Sequence, residues 1–201
     1  MRKIAITGGL SSGKSTVGLL LKDSGAYVVS ADTIVHQLLS SDTDISRQVV
    51  KLLGQGICTN DRIDRKKIAN IVFFDPVKLK ALDTILHPAV KKEIAKQYEQ
   101  VKNDSSYIFF VAEIPLLYET GMEKLFDAVI AVSTDPSVAL SRYMQTTGLG
   151  RKDFEARMNY QQKPLEKEKK ADFIIVNNGD LTNLKKNVVS TLQQLKEYFS
   201  E

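Results

Sequence analysis

The chain has 201 residues, 43% hydrophobic and 26% charged, with a formal net charge of +4 and a sequence pI near 9.0. That length suits one sizeable core, with room for a small inserted subdomain. A single cysteine, Cys58, excludes an internal disulfide framework. The mild basic excess favours anionic ligands such as nucleotides, and it is not gathered into a block that would mark a nucleic-acid binder.

Residues 3–7, Lys-Ile-Ala-Ile-Thr, read as a short buried strand. Then comes Gly8-Gly9-Leu10-Ser11-Ser12-Gly13-Lys14-Ser15-Thr16, which matches G-x-x-x-x-G-K-[ST], and a helix that reads from Val17. Strand, loop and helix in that order are the setting a P-loop needs. Successive backbone N–H groups can converge on phosphate oxygens, and the helix N-terminus adds partial positive charge. Gly9, Ser11, Ser12, Gly13, Lys14, Ser15 and Thr16 are the expected nucleotide-binding residues. Lys14 is placed to reach the β- and γ-phosphates, and the Ser15 hydroxyl to ligate Mg²⁺. The bland alternative is a Gly/Ser turn that binds nothing.

Ser24-Gly25 stops the helix, and residues 26–30 read as a second strand ending at Ala31-Asp32. A helix is expected from about Thr33. Ligands of open α/β sheets bind beyond the carboxyl ends of strands, so Asp32 is a candidate general base for a phosphoryl acceptor. It could instead cap the following helix or support Mg²⁺ indirectly. Residues 40–102 read as mostly helical, with apolar stripes at Ile45/Val49/Leu52/Leu53, Ile68/Ile71/Val72/Phe73 and Leu79/Leu82/Ile85/Leu86. Residues 57–64 read as a polar loop. His87-Pro88 is expected to end one helix, since the residue before proline is pushed away from helical φ/ψ, and Pro88 to open the next.

Residues 107–114 form the strongest strand signal, apolar on both faces as a central parallel strand should be. Its end, Glu113, either holds Mg²⁺ through water or anchors a loop. Residues 128–133 read as a strand, 136–144 as a helix, 148–170 as a polar stretch with charges of both signs, 173–176 as a last strand and 181–199 as an amphipathic helix. Strands alternating with helices predict an α/β architecture of the three-layer P-loop NTPase/kinase kind. It has a five-stranded parallel sheet, a helical substrate-binding insertion and a lid. The core is assigned to 1–39, 105–145 and 171–201, the helical subdomain to 40–104 and the lid to 146–170. Arg142, Arg151 and Arg157 are candidates to balance charge on the transferring phosphate, against the alternative of solvated surface roles. No apolar run approaches the ~20 residues of a membrane span. With a strand almost at the start, no signal peptide is read and a cytoplasmic protein is expected. No Cys/His cluster has zinc spacing.

Taken together, the motifs resemble the dephospho-coenzyme A kinase family. The P-loop from Ile6 to Thr16, Ser30-Ala31-Asp32, Ile63-Asp64-Arg65, Val72-Phe73 and Leu86-His87-Pro88 stand in that family's order and spacing. So do Ile114-Pro115-Leu116-Leu117-Tyr118-Glu119 and the run Ala171-Asp172-Phe173-Ile174-Ile175-Val176-Asn177. The resemblance spans nearly the whole chain. It implies transfer of the ATP γ-phosphate to the ribose 3′-hydroxyl of dephospho-CoA, the last step of coenzyme A synthesis. It implies catalytic roles for Asp32, Lys14 and Arg142, with Asp32 as base, and places Asn177 by the adenine of ATP. It puts Asp32, Arg65, His87 and Leu116 at the acceptor. Ser15 becomes the metal ligand, with Glu113 behind it.

The implied partners are ATP with Mg²⁺, and dephospho-CoA. No nucleic acid or membrane is expected, and a monomer is. Three departures stand out. Ser30 replaces the first Asp of the family's pair, Glu113 stands where an Asp is common, and Thr146 stands where many members carry a second arginine. Arg151 supplies that charge from the lid, or the site works with fewer cations. The runner-up readings are another P-loop small-molecule or nucleotide kinase, and a nucleotide-dependent binding or switch protein.

Overall fold

The computed structural model describes residues 1–40, 42–60, 62–72 and 74–200. Phe73, counted in one apolar stripe and in the Val72-Phe73 motif, lies outside the described residues. The described chain forms two compact units, Met1–Val29 with Val101–Glu201, and Ser30–Gln100.

The first unit is built on a sheet. Its strands are β1 (Arg2–Gly8), β2 (Tyr27–Ser30), β5 (Phe109–Glu113), β6 (Ala128–Ser133) and β7 (Phe173–Val176), in the order β2-β5-β1-β6-β7. β1 pairs in parallel with β5 and β6, and β6 with β7. The middle of the sheet is therefore β1, and β5 stands between it and β2. All five residues of β5 are buried, as a strand covered on both faces requires. Ile4, Ile6, Phe109, Val111, Ile130, Val132 and Ile175 pack against α1 (Lys14–Asp23) and α9 (Leu181–Tyr198). α1 contributes Val17 and Leu21, and α9 contributes Leu184, Val188, Leu192 and Leu195. Asp180 caps α9 by accepting from the Asn183 N–H at 2.8 Å. α1 starts at Lys14, three residues before the first apolar-periodic position. A helix begins where its backbone hydrogen bonds begin, and here the Gly13 carbonyl already accepts from the Val17 N–H.

The polar stretch after α6 (Pro136–Thr147) folds into two short helices, α7 (Arg151–Met158) and α8 (Pro164–Lys170). α7 packs on α6 through Phe154 against Tyr143, ring centroids 5.4 Å apart, with Leu10, Leu140 and Met158 around them. α8 packs on β1 and β6. Its Lys167 is fully buried, donating to Pro115 O at 2.6 Å and pairing with Glu119 Oε1 at 2.9 Å.

The second unit is helical: α2 (Ala31–Ser40), α3 (Asp44–Leu53), α4 (Arg65–Val72) and α5 (Pro76–Val101). Leu39, Val49, Ile57, Ile68, Val72, Leu82 and Leu86 make its core. Thr43 and Ser46 form a reciprocal capping box on α3. Two of its features correct the sequence reading. Residues 57–64 are more than a loop, since β3 (Cys58–Thr59) and β4 (Arg62–Ile63) pair as a small antiparallel hairpin beside fully buried Ile57. And α5 does not break at His87-Pro88; it runs 26 residues with Pro88 inside it. An interior proline costs about 3 kcal/mol. Leu82, Leu86, Val90 and Ile94 are all buried at four-residue spacing across it, and burying each apolar side chain contributes roughly 1.5–3 kcal/mol. A continuous buried stripe outweighs one lost backbone bond.

Candidate active site

β1 ends at Gly8, where the chain turns into the phosphate loop. A Cβ on Gly8 would meet Val132 O at 2.6 Å, so only glycine lets the loop leave the sheet this close to β6. Gly13 is the N-cap of α1 at φ 91°, ψ 23°, a left-handed conformation. Ser11 also has positive φ, 56°, which is uncommon for a side-chain-bearing residue. Alternation of left- and right-handed residues is what turns consecutive N–H groups into an anion-binding concavity. Lys14 is buried, its ammonium donating to Gly9 O at 2.8 Å and Gly8 O at 3.3 Å. The ammonium thus lies across the rim of its own loop. Gly9 is covered by Pro164, whose Cγ would be 3.1 Å from an added Cβ.

Parallel register sets Glu113 opposite Ile6 on β1, next to the start of the loop. Its Oε1 accepts from Ser15 Oγ at 2.8 Å, and the Glu113 side chain is buried. A hydroxyl and a carboxylate are hard oxygen donors that suit Mg²⁺, which takes one or two protein oxygens and fills its remaining positions with water and phosphate. Among the described residues no three His, Cys, Asp or Glu side chains converge on a metal position. The residues present therefore fit a nucleotide-borne Mg²⁺ rather than a protein-caged one. Thr16 follows Ser15 on the first turn of α1 and is exposed.

Asn177, just past β7, is 5% exposed. Its Nδ2 donates to Ser12 O at 2.8 Å. Arg142, from α6, donates to Asn177 O at 2.9 Å, and to Asn177 Oδ1 and Gly179 O at 3.4 Å each. The guanidinium is thus clasped to the loop after β7. Thr146 Oγ1 returns to Arg142 O at 2.8 Å, and Arg151, largely exposed, pairs with Glu155 at 3.5 Å. Arg157 is exposed on α7. Leu116 is half-buried in the turn after β5. Two further residues matter that sequence reasoning missed, Lys167, bonded to Pro115 O, and Thr134, bonded to Ser12 O. Lys167 sits within a Lys-Glu-Lys-Lys run that reads as solvated. Thr134 follows the carboxyl end of β6, the kind of position where ligand-side residues are sought.

In the helical unit, Asp32 is the second residue of α2. It is therefore not the N-cap considered from the sequence; it sits in the first turn, where the helix dipole favours an anion. It is exposed, and among the described residues its carboxylate takes no hydrogen bond or ion pair. Arg65 lines a cavity of about 570 Å³ with His36, Arg62, Asp64 and Lys66. Asp64 Oδ1 is engaged as a cap, accepting from the Lys66 backbone N–H at 2.9 Å. Among the described residues, the side chains of Arg62, Arg65 and Lys66 have no hydrogen-bond or ion-pair partner. His87 does not line that cavity. It stands on α5 with Nε2 3.4 Å from Asp83 Oδ1, one turn earlier. The Asp83 carboxyl lies above its usual range because burial disfavours its charged form, an effect that the neighbouring His87 offsets only in part.

Comparison with known proteins adds a second line. The family model for dephospho-CoA kinase matches residues 2–183. The chain is 48% identical over 199 residues to the dephospho-CoA kinase of Protochlamydia amoebophila, covering 98% of each. Among solved structures, TT1252 from Thermus thermophilus aligns with TM-score 0.80 and 30% identity, over 96% of this chain and 97% of that one. The dephospho-CoA kinase from Campylobacter jejuni aligns with TM-score 0.70 and 29% identity, over 97% of each. The phosphate loop, the sheet order around it and these full-length matches agree: the chain belongs to the dephospho-CoA kinase family.

Proposed function

We propose that this chain phosphorylates the ribose 3′-hydroxyl of dephospho-CoA with ATP, giving coenzyme A and ADP. The observation that carries this reading is the near-full-length match to the family on a chain whose phosphate loop is already folded. In the proposed reaction the 3′-oxygen attacks the γ-phosphorus, and the bond from that phosphorus to the β,γ-bridging oxygen breaks. ADP leaves, and the acceptor's proton passes to the Asp32 carboxylate. Asp32 suits that role because nothing among the described residues already occupies it.

The N–H groups of Gly9 to Thr16 and the Lys14 ammonium are assigned to the ATP phosphates. Ser15, with Glu113 behind it, would hold Mg²⁺, which when bound neutralises developing charge on the phosphates. Asn177 is assigned to the adenine side. Arg142, on the Asn177–Gly179 loop, is assigned to charge balance around ATP. Arg65, His87 and Leu116 are assigned to dephospho-CoA. The cavity cations beside Arg65 offer the density of positive charge that a diphosphate-bearing acceptor needs. Residues 40–104 are proposed as the acceptor-binding subdomain and 146–170 as a lid, with α8 as its fixed base because Lys167 is buried in the core. No helix among the described residues is long and apolar enough to cross a membrane. A cytoplasmic monomer is part of the same proposal.

A coupled ADP-release assay over a panel of alcohols tests it. Dephospho-CoA should be used in clear preference to nucleosides, shikimate and sugar alcohols. Brisk release with another acceptor and little with dephospho-CoA would move the chain to a different small-molecule kinase. Salt-sensitive nucleic-acid binding without acceptor-stimulated release would make it a nucleotide-dependent binding protein.

A further inference from the structure

Ser12 O is an unusual carbonyl, because two side chains from different strand ends converge on it. Asn177 Nδ2 donates to it at 2.8 Å and Thr134 Oγ1 at 3.0 Å. Thr134 follows β6 and Asn177 follows β7, adjacent strands held in parallel register with Ser133 opposite Val176. The Asn177 amide cannot turn over freely. Its Oδ1 faces the Arg142 guanidinium at 3.4 Å, while Asn177 O accepts from the same group at 2.9 Å and its backbone N–H donates to Ser133 O at 2.8 Å. An arginine has no acceptor, so it orients the amide with oxygen inward and leaves the NH₂ for Ser12. The fit is tight: a Cβ on Gly13 would collide with Asn177 Nδ2.

The consequence follows from peptide geometry. In a planar trans peptide the C=O and the next N–H point in opposite directions. Fixing Ser12 O against Asn177 and Thr134 therefore fixes the Gly13 N–H on the other side. That N–H is one of the loop donors a phosphate oxygen would use. Gly13 is in the left-handed conformation, φ 91°, which is the backbone state this orientation of the peptide uses.

We propose that Thr134 and Asn177, with Arg142 orienting the amide, are positioning residues that preset the Ser12–Gly13 peptide for phosphate. This goes beyond an adenine-side role for Asn177 and assigns a role to Thr134. It rests on the reading of the loop as an ATP-phosphate site, and it does not depend on which acceptor is used. Presetting lowers the ordering cost of binding, so its loss should fall on the phosphate part of the nucleotide.

Two variants separate the possibilities, each first checked for folding by circular dichroism and thermal melting. Thr134→Val removes one donor and keeps the shape; Asn177→Leu removes the other without adding charge. Affinities for ATP, inorganic tripolyphosphate and adenosine are measured by competition against a fluorescent ATP analogue. Loss of a buried hydrogen bond predicts ATP and tripolyphosphate weakened roughly tenfold in each variant, with adenosine changed less than about twofold. If Asn177→Leu weakens adenosine as much as ATP and spares tripolyphosphate, Asn177 is an adenine contact and the proposal fails. If Thr134→Val folds and leaves tripolyphosphate affinity unchanged, it fails as well, even where Asn177→Leu does not fold. Wild-type binding of ATP without phosphorylation of dephospho-CoA would overturn the acceptor reading and leave this one standing.

Discussion

The two units hold their polar groups differently. In the sheet unit Lys14, Ser15, Asn177 and Arg142 are engaged, while the Ser12 hydroxyl is buried with no hydrogen-bond partner among the described residues. Lys14 lies on Gly8 and Gly9, Ser15 on Glu113, Asn177 on Ser12, and Arg142 on Asn177 and Gly179. In the helical unit Asp32, Arg62, Arg65 and Lys66 have no side-chain partner among the described residues. On the proposed reading, the first set has its geometry built by protein bonds and the second is open to the acceptor. Substitutions in the first should disturb folding or nucleotide binding. Substitutions in the second should disturb turnover or the acceptor and leave the fold alone.

The sharpest test of that division is Asp32→Asn. Removing a general base should lower kcat by about 10²–10⁴, with ATP affinity changed less than about twofold because the carboxylate acts on the chemical step. Stopped-flow turnover together with equilibrium ATP binding would show it; near-normal turnover would remove Asp32 from the base role. On the engaged side, Lys167→Met should destabilise the fold by about 3–5 kcal/mol, because Glu119, 17% exposed, would be left without its buried counter-charge. Denaturant melts should show the loss, and the double variant Lys167→Met with Glu119→Leu should regain much of it. Recovery would mark the pair as specifying where α8 docks rather than as a net source of stability.

Arg65→Ala should do the reverse. Stability should stay within about 0.5 kcal/mol, while KM for dephospho-CoA should rise roughly tenfold, as loss of a charge-assisted bond predicts. A destabilised Arg65→Ala protein would mean that the cavity cations are structural after all.

The smallest effect is at Tyr118. Its hydroxyl is buried with no hydrogen-bond partner among the described residues. Burial first, then the charges of Asp172 and Glu123, push its pKa up from 10.0 to about 12. The folded state thus favours the neutral phenol. That contribution to stability is complete below about pH 10 and is lost as pH rises through about 12. Alkaline absorbance titration should show one tyrosine ionising late, and Tyr118→Phe should abolish that step with little change in stability at neutral pH.

The same division explains what the sequence made legible. Residues 128–133 and 173–176 were expected as strands and are strands, because apolar runs bounded by polar turns carry their own signal. The phosphate loop was readable because its backbone demands glycine at 8 and 13. His87-Pro88 misled because local proline chemistry points to a break, whereas the buried stripe of Leu82, Leu86, Val90 and Ile94 keeps α5 whole. Asp32 reads as the residue before a helix and sits inside it, since α2 starts at Ala31, two residues before the Thr33 start that the apolar spacing suggests. Lys167 carries no local mark, and Thr134 only its place after the carboxyl end of a strand. Their roles come from partners 52 and 122 residues away, Pro115 and Ser12, which only the fold brings to them.

The most direct test is transfer to the 3′-hydroxyl itself. The protein is incubated with ATP, Mg²⁺ and either dephospho-CoA or its 3′-deoxy analogue, and the products are followed by ³¹P NMR. The expected product is coenzyme A carrying a 3′-phosphate, formed one-to-one with ADP, with no acceptor-stimulated ADP release with the deoxy analogue. Equal release with both, or a phosphate placed elsewhere on the acceptor, would contradict it.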